Sequence, residues 1–81
     1  MNRQELLDAL RREHIRDDAY DLTGGHLSER YTFGEVRGRW YVYYSERGQE
    51  TGRREFATEA GACEYFLNML KADPTTRDRL P

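Results

Sequence analysis

The chain has 81 residues, with 13 basic and 15 acidic side chains and a net charge of −2. This length predicts one small domain and excludes a Rossmann nucleotide domain, a repeat array and a two-lobed enzyme. Charged residues make up 35% of the chain, but an aromatic fraction of 12% predicts a folded domain and not a disordered one. No apolar run approaches the roughly 18 residues of a membrane span, and the N-terminus lacks the apolar segment of a signal peptide.

The first predicted element is a helix over residues 2–13. Asn2, with Glu5 three residues later, has the pattern of an N-cap and its capping-box partner. The apolar positions that follow recur at helical spacing: Leu6, Leu7 and Leu10. The next segment, 16–26, is rich in aspartate and contains two adjacent glycines, so it is predicted to be a loop.

The middle of the chain, 30–57, predicts three antiparallel strands. A short turn at Arg37 and Gly38 separates the first two, and the second contains the strand-forming run WYVYY at 40–44. Residues 46–52 are predicted to form a longer hairpin loop before the third strand. Because side chains alternate along a strand, Tyr41 and Tyr43 are expected on the face opposite to Trp40, Val42 and Tyr44.

A second helix is predicted over 59–72. Thr58 suits its N-cap, Asp73 and Pro74 stop it, and 75–81 are predicted to form a flexible tail. The polar stripe of this helix is narrow, which predicts that it is covered on two sides, by the sheet and by the first helix or another chain. The fold class is therefore α+β: a helix, a three-stranded antiparallel β-meander and a C-terminal helix packed on the sheet.

Side chains with catalytic or metal-binding spacing are not found. His14 and His26 have no partner at ligand spacing, and Cys63 lies among apolar residues, as a buried structural cysteine does. We therefore expect a protein that is not an enzyme and has no cofactor or metal. One cysteine cannot form an internal disulfide, which favours the reducing cytoplasm.

The surplus of tyrosine and arginine on the sheet favours a protein interface, because these residues often anchor interfaces. The alternative interpretation is a solvent-exposed face of mixed charge with no binding role. The candidate partner-binding residues are two aromatic anchors and five carboxylates that would suit a basic cleft: Tyr41, Tyr43, Glu46, Glu50, Glu55, Asp17 and Asp18. A nucleic-acid partner is a weaker alternative, because arginines and glutamates are interleaved along the strands and no segment is polybasic.

Four stretches resemble small bacterial immunity proteins of polymorphic toxin systems, including contact-dependent growth inhibition: WYVYYSERG at 40–48, FATE at 56–59, ACEYFL at 62–67 and DP at 73–74. The resemblance implies a cytoplasmic, non-enzymatic protein that binds the toxic C-terminal domain of a cognate effector, often a nuclease, and blocks it. It carries no binding motif that can be placed on particular residues.

Two further alternatives remain open. The ending F-x-T-E-x-x-A-x-x-Y, from Phe56 to Tyr65, also resembles the strand–strand–helix ending of small DNA-binding domains, which would make the chain a small nucleic-acid-binding regulator. The broad apolar surface of the second helix would also suit a homodimer formed through that helix.

Overall fold

Two helices lie on one face of a four-stranded sheet in the computed structural model, which describes residues 1–25 and 28–77. The elements in chain order are α1 (Arg3–Arg12), β1 (Tyr20–Asp21), β2 (Arg30–Val36), β3 (Arg39–Glu46), β4 (Gln49–Phe56) and α2 (Glu59–Lys71), with short 3-10 turns at Asp17–Ala19 and Pro74–Thr76. The strands lie side by side in chain order. The α+β class that the sequence predicts is confirmed.

Capping residues set where both helices begin. The Asn2 side chain accepts a hydrogen bond from the Glu5 N–H (2.8 Å), and the Glu5 carboxylate accepts one from the Asn2 N–H (2.9 Å), which completes the capping box. At α2 the Thr58 hydroxyl accepts a hydrogen bond from the Gly61 N–H at 3.1 Å. Each cap satisfies backbone donors that the first helical turn leaves without a partner.

Both antiparallel hairpins close with two-residue turns of the sequence Arg-Gly. At Arg37–Gly38 the φ angles are 52° and 77°, and at Arg47–Gly48 they are 51° and 78°. Positive φ at both positions is the turn geometry that matches the twist of the two strands. The prediction of a long loop over 46–52 is therefore wrong, because β4 begins at Gln49. Gly52, with φ of 67°, lies in the strand at a β-bulge opposite Tyr43.

The sheet contains one strand more than the predicted three-stranded meander. Residues 20 and 21 form β1, which pairs in parallel with β2 through Tyr20–Tyr31 and Asp21–Thr32. The sheet is therefore mixed and not purely antiparallel. A strand of two residues is too short to show alternation. The sequence pattern therefore gives no sign of β1, and residues 16–26 are predicted to be a loop.

The core lies between the helices and the inner face of the sheet, which is the face that carries Phe33 and Val42. Phe33 meets Phe66 of α2 edge to face, with ring centroids 5.7 Å apart. On its other side α2 packs against α1, which explains its narrow polar stripe. In the described part of the chain the only large apolar side chains that are exposed are Met1 and Val36, and α2 carries three that are partly buried, Tyr65, Leu67 and Met69.

The segment after α2 is packed where a flexible tail is predicted. Thr76 is buried, and its hydroxyl donates to the carbonyl of Leu70 at 2.8 Å. The Arg16 N–H donates to the Thr76 carbonyl at 2.7 Å, and Arg77 forms an ion pair with Glu13 at 3.2 Å. These contacts tie residues 75–77 to the end of α1, so the prediction is wrong for them. Residues 78–81, and His26, lie outside the described part of the chain.

Candidate functional site

Tyr41 and Tyr43 lie on the outer face of the sheet, the face opposite the helices. Their rings are stacked, with centroids 5.9 Å apart and planes 7° from parallel. The guanidinium of Arg53 lies 4.5 Å from the centroid of the Tyr41 ring, within the range of a cation–π contact. Tyr41 is half-buried, but Tyr43 is only 2% exposed. Tyr43 therefore presents little surface to a partner, and its predicted role in binding stays a prediction.

Tyr41 is held in place by close contact with two glycines. A Cβ on Gly34 would lie 2.5 Å from the ring atom Cζ of Tyr41, and a Cβ on Gly24 would lie 2.9 Å from its hydroxyl oxygen. Any larger side chain at these positions would displace the ring. Gly24 belongs to the segment that follows β1, so this segment lies against the outer face.

The carboxylate of Asp21 organises that segment. Its Oδ1 accepts hydrogen bonds from the Thr23 N–H (2.9 Å) and hydroxyl (2.6 Å), and its Oδ2 accepts one from the Gly25 N–H (2.8 Å). Burial by itself raises the pKa of Asp21, but these hydrogen bonds and the charge of Arg30 lower it below its ordinary value. The role of Asp21 is to fix the turn after β1.

Glu50 and Glu55 are neutralised by neighbouring arginines. Arg53 pairs with Glu50 at 2.9 Å and lies 3.8 Å from Glu55, which is also 3.8 Å from Arg39. The outer face is therefore of mixed charge, as expected if it is simply a solvated face. It offers a basic partner little net attraction.

Asp17 and Asp18 lie beyond the opposite edge of the sheet from Glu50 and Glu55, in the turn before β1. Asp17 accepts a hydrogen bond from the Tyr20 hydroxyl at 3.0 Å, and Asp18 pairs with Arg16 at 2.8 Å. The seven predicted residues therefore do not form one site.

Glu46 belongs to a different surface, at the end of the sheet near the β3–β4 turn. It lies on the same face of β3 as Tyr44, two residues earlier. The ring of Tyr44 meets the ring of Tyr31 edge-on, with centroids 4.9 Å apart, and the Tyr31 hydroxyl donates to Asp73 Oδ2 at 2.7 Å. These two rings form the walls of a depression of about 250 Å³, the tyrosine pocket. Its polar lining comprises Arg16, Glu29, Tyr31, Tyr44, Asp73, Thr75 and Thr76.

Negative charge dominates the electrostatics of the tyrosine pocket. Burial raises the pKa of Tyr44, and the carboxylates of Glu46, Glu29 and Asp73 raise it further. Burial and the hydrogen bond to Asp73 likewise raise the pKa of Tyr31. Hydrogen bonds from Thr75 and Tyr31 lower the pKa of Asp73, so this carboxyl is ionised at neutral pH. Among the residues that the structure describes, neither Glu29 nor Glu46 forms an ion pair.

Glu46 is among the binding residues predicted from the sequence, whereas Tyr31, Glu29 and Asp73 are not. These side chains come from β2, from the residue before it and from the segment after α2. Alternation places Tyr31 and Tyr44 on the helix-covered face, where both are expected in the core, and Asp73 is assigned only the role of ending α2. The one usable signal is that residues 31 and 44 pair directly once β2 and β3 are aligned about the turn at 37–38.

Other residues that could bind a metal or act as a nucleophile are dispersed over the described ranges, 1–25 and 28–77. No three or more His, Cys, Asp or Glu side chains there are grouped so as to hold a metal ion. Burial raises the pKa of the Cys63 thiol to about 11, so the thiol is protonated at neutral pH. Neither described helix is long and apolar enough to cross a membrane.

The fold and the site define a small α+β protein with an aromatic pocket of net negative charge at one end of its sheet. Comparison of the chain with family models, curated proteins and solved structures finds no match. The resemblance to bacterial immunity proteins therefore stays a prediction.

Proposed function

We propose that this chain is a cytoplasmic immunity protein that binds the toxic C-terminal domain of a cognate bacterial effector, a nuclease, and neutralises it by occlusion. The observation that supports the proposal is the tyrosine pocket, which Glu29 lines and beside which Glu46 lies, two residues from Tyr44 on the same strand face. Neither carboxylate has an ion-pair partner among the described residues.

A nuclease needs a positive surface, because it must hold the phosphates of its substrate. An inhibitor that covers this surface benefits from carboxylates of complementary charge, which accelerate association and disfavour other partners. Aromatic side chains beside those carboxylates supply the buried contact area that anchors an interface.

The tyrosine pocket meets these requirements better than the outer face does. Tyr31 is already held by its hydrogen bond to Asp73, so little conformational entropy is lost when a partner packs on it. On the outer face, Glu50 is already paired with Arg53. The proposed anchors are therefore Tyr44 and Tyr31, in place of Tyr41 and Tyr43.

The nucleic-acid alternative finds less support. A base-stacking surface needs exposed aromatic rings with cations free to contact phosphate, whereas Tyr43 is buried and Arg53 is paired with Glu50. A titration of duplex and single-stranded DNA at low salt compares the two ideas. Affinity that falls steeply as salt is added would favour the alternative.

Co-expression with the toxic domain encoded beside this chain tests the proposal. The wild-type chain is expected to copurify with that domain and to protect the cells. Glu46→Arg reverses a charge at the pocket and is expected to weaken the complex at least about tenfold, by the loss of one charge contact and the gain of a repulsion. Glu55→Arg reverses a charge on the outer face and is the matched control. Failure of the wild type to bind or protect would overturn the proposal.

A further inference from the structure

We propose that the tyrosine pocket receives one arginine side chain presented by the protein partner. This inference deepens the proposed function and rests on it, because the partner it requires is a basic protein surface. The class of ligand that the pocket would bind is a guanidinium.

The shape and lining of the pocket match a flat cation. Two tyrosine rings, meeting edge to face, form its walls, and its volume of about 250 Å³ admits a guanidinium with its adjoining methylenes. A guanidinium is planar and weakly hydrated, and it packs on aromatic rings through cation–π contact. The compact, strongly hydrated ammonium of lysine gains less from such walls.

The free hydrogen-bonding capacity lies on Glu29 and Tyr44. The Glu29 carboxylate forms no ion pair with the described residues, and the Tyr44 hydroxyl forms no hydrogen bond with them. A carboxylate can accept two parallel N–H bonds from one guanidinium. Asp73 differs, because its Oδ1 accepts from Thr75 and its Oδ2 from Tyr31. It contributes negative charge to the pocket while holding Tyr31 in place.

Arg16 also lines the pocket, and its charge would oppose a second cation. Its guanidinium is already committed, since one nitrogen pairs with Asp18 at 2.8 Å and the other donates to the Thr75 carbonyl at 2.9 Å. Asp18 therefore neutralises Arg16, and the remaining charge of the pocket is that of Glu29 and Asp73, with Glu46 close by.

The test uses the free chain and two small probes. N-acetyl-arginine amide is titrated while the ring resonances of Tyr31 and Tyr44 are followed by NMR, and N-acetyl-citrulline amide, its uncharged counterpart, is the control. The arginine probe is expected to give saturable shifts with a dissociation constant of about 1–10 mM, the range for one isolated side chain. Citrulline amide is expected to give none. Equal shifts from both probes, or no saturable shift from arginine amide, would overturn the inference.

Two variants locate the effect. Glu29→Gln keeps the size of the side chain and removes its charge. It is expected to lower the affinity for the arginine probe at least about fivefold. Glu55→Gln, on the outer face, is the control and should bind the probe as the wild type does. Thermal melts of both variants check that they are folded.

The same variants in complex with the toxic domain separate this inference from the proposed function. Glu29→Gln is expected to weaken that complex by a similar factor. A chain that neutralises the toxin but binds no arginine amide, or whose complex is unaffected by Glu29→Gln, overturns the arginine contact and leaves the proposed function standing. A chain that binds the probe and does not neutralise the toxin overturns the proposed function.

Discussion

At the scale of single residues, Gly34 has the strictest steric requirement of the chain's seven glycines, because of its contact with Tyr41. Gly34 is buried in β2, directly across from Tyr41 in β3, and the Tyr41 ring lies over its Cα hydrogen. Glycine is needed here for space and not for a left-handed backbone, because Gly34 is not among the residues with positive φ.

Gly34→Ala is expected to lower the free energy of unfolding by about 1–3 kcal/mol, the usual cost of overpacking. Urea denaturation measures it. The control is the same substitution in a Tyr41→Ala background, where the ring is absent and alanine should cost much less. An equal loss in both backgrounds would show that the ring is not the cause.

At the scale of elements, prediction and structure agree where the interacting residues are close in sequence and differ where they are far apart in sequence. The capping box of α1 and the turn at 37–38 depend on neighbours in sequence, so local patterns identify them. β1 is defined by its pairing with a strand ten residues further on, and residues 75–77 by contacts with the end of α1. The candidate site combines three such distant segments, so Glu46 is identified and its neighbours are not.

The turn after β1 should make stability depend on pH. The folded pKa of Asp21 is lowered, so its stabilisation is complete above the unfolded value, ordinarily 3.8, and is lost as pH falls through the folded value. The free energy of unfolding of the wild type should therefore decrease in acid below about pH 5.

Asp21→Asn is expected to flatten this dependence, because its amide cannot accept the Gly25 N–H where it replaces Oδ2. Denaturation at a series of pH values checks it. The control is Asp8→Asn, on the exposed side of α1, where the carboxylate accepts a hydrogen bond from the Gln4 side chain at 3.3 Å and from no other side chain in the described ranges. An acid slope that Asp21→Asn leaves unchanged would contradict the assignment.

At the scale of the whole molecule, the thin core makes stability depend on a few large side chains. A domain of this size buries only about 60% of the surface that its unfolded chain exposes. Phe66 of α2 is fully buried against Phe33, whereas Trp40 of β3 is only partly buried at the margin of the core. Alternation along β3 places Trp40 on the same face as Val42, but the pattern does not show how deeply either side chain is buried.

The difference in burial predicts that Phe66 contributes more to stability than Trp40 does. Phe66→Ala is expected to cost about 3–5 kcal/mol, the range for a buried phenylalanine, out of a total near the lower end of 5–15 kcal/mol. That loss leaves about 0–2 kcal/mol, so in a calorimetric scan the variant should show a transition that is lost or displaced far below that of the wild type. Trp40→Ala, which removes a larger ring from a partly buried position at the margin of the core, should retain a cooperative transition. A Trp40 variant less stable than the Phe66 variant would show that the support of the sheet lies at its end near the turn at 37–38, and not beneath α2.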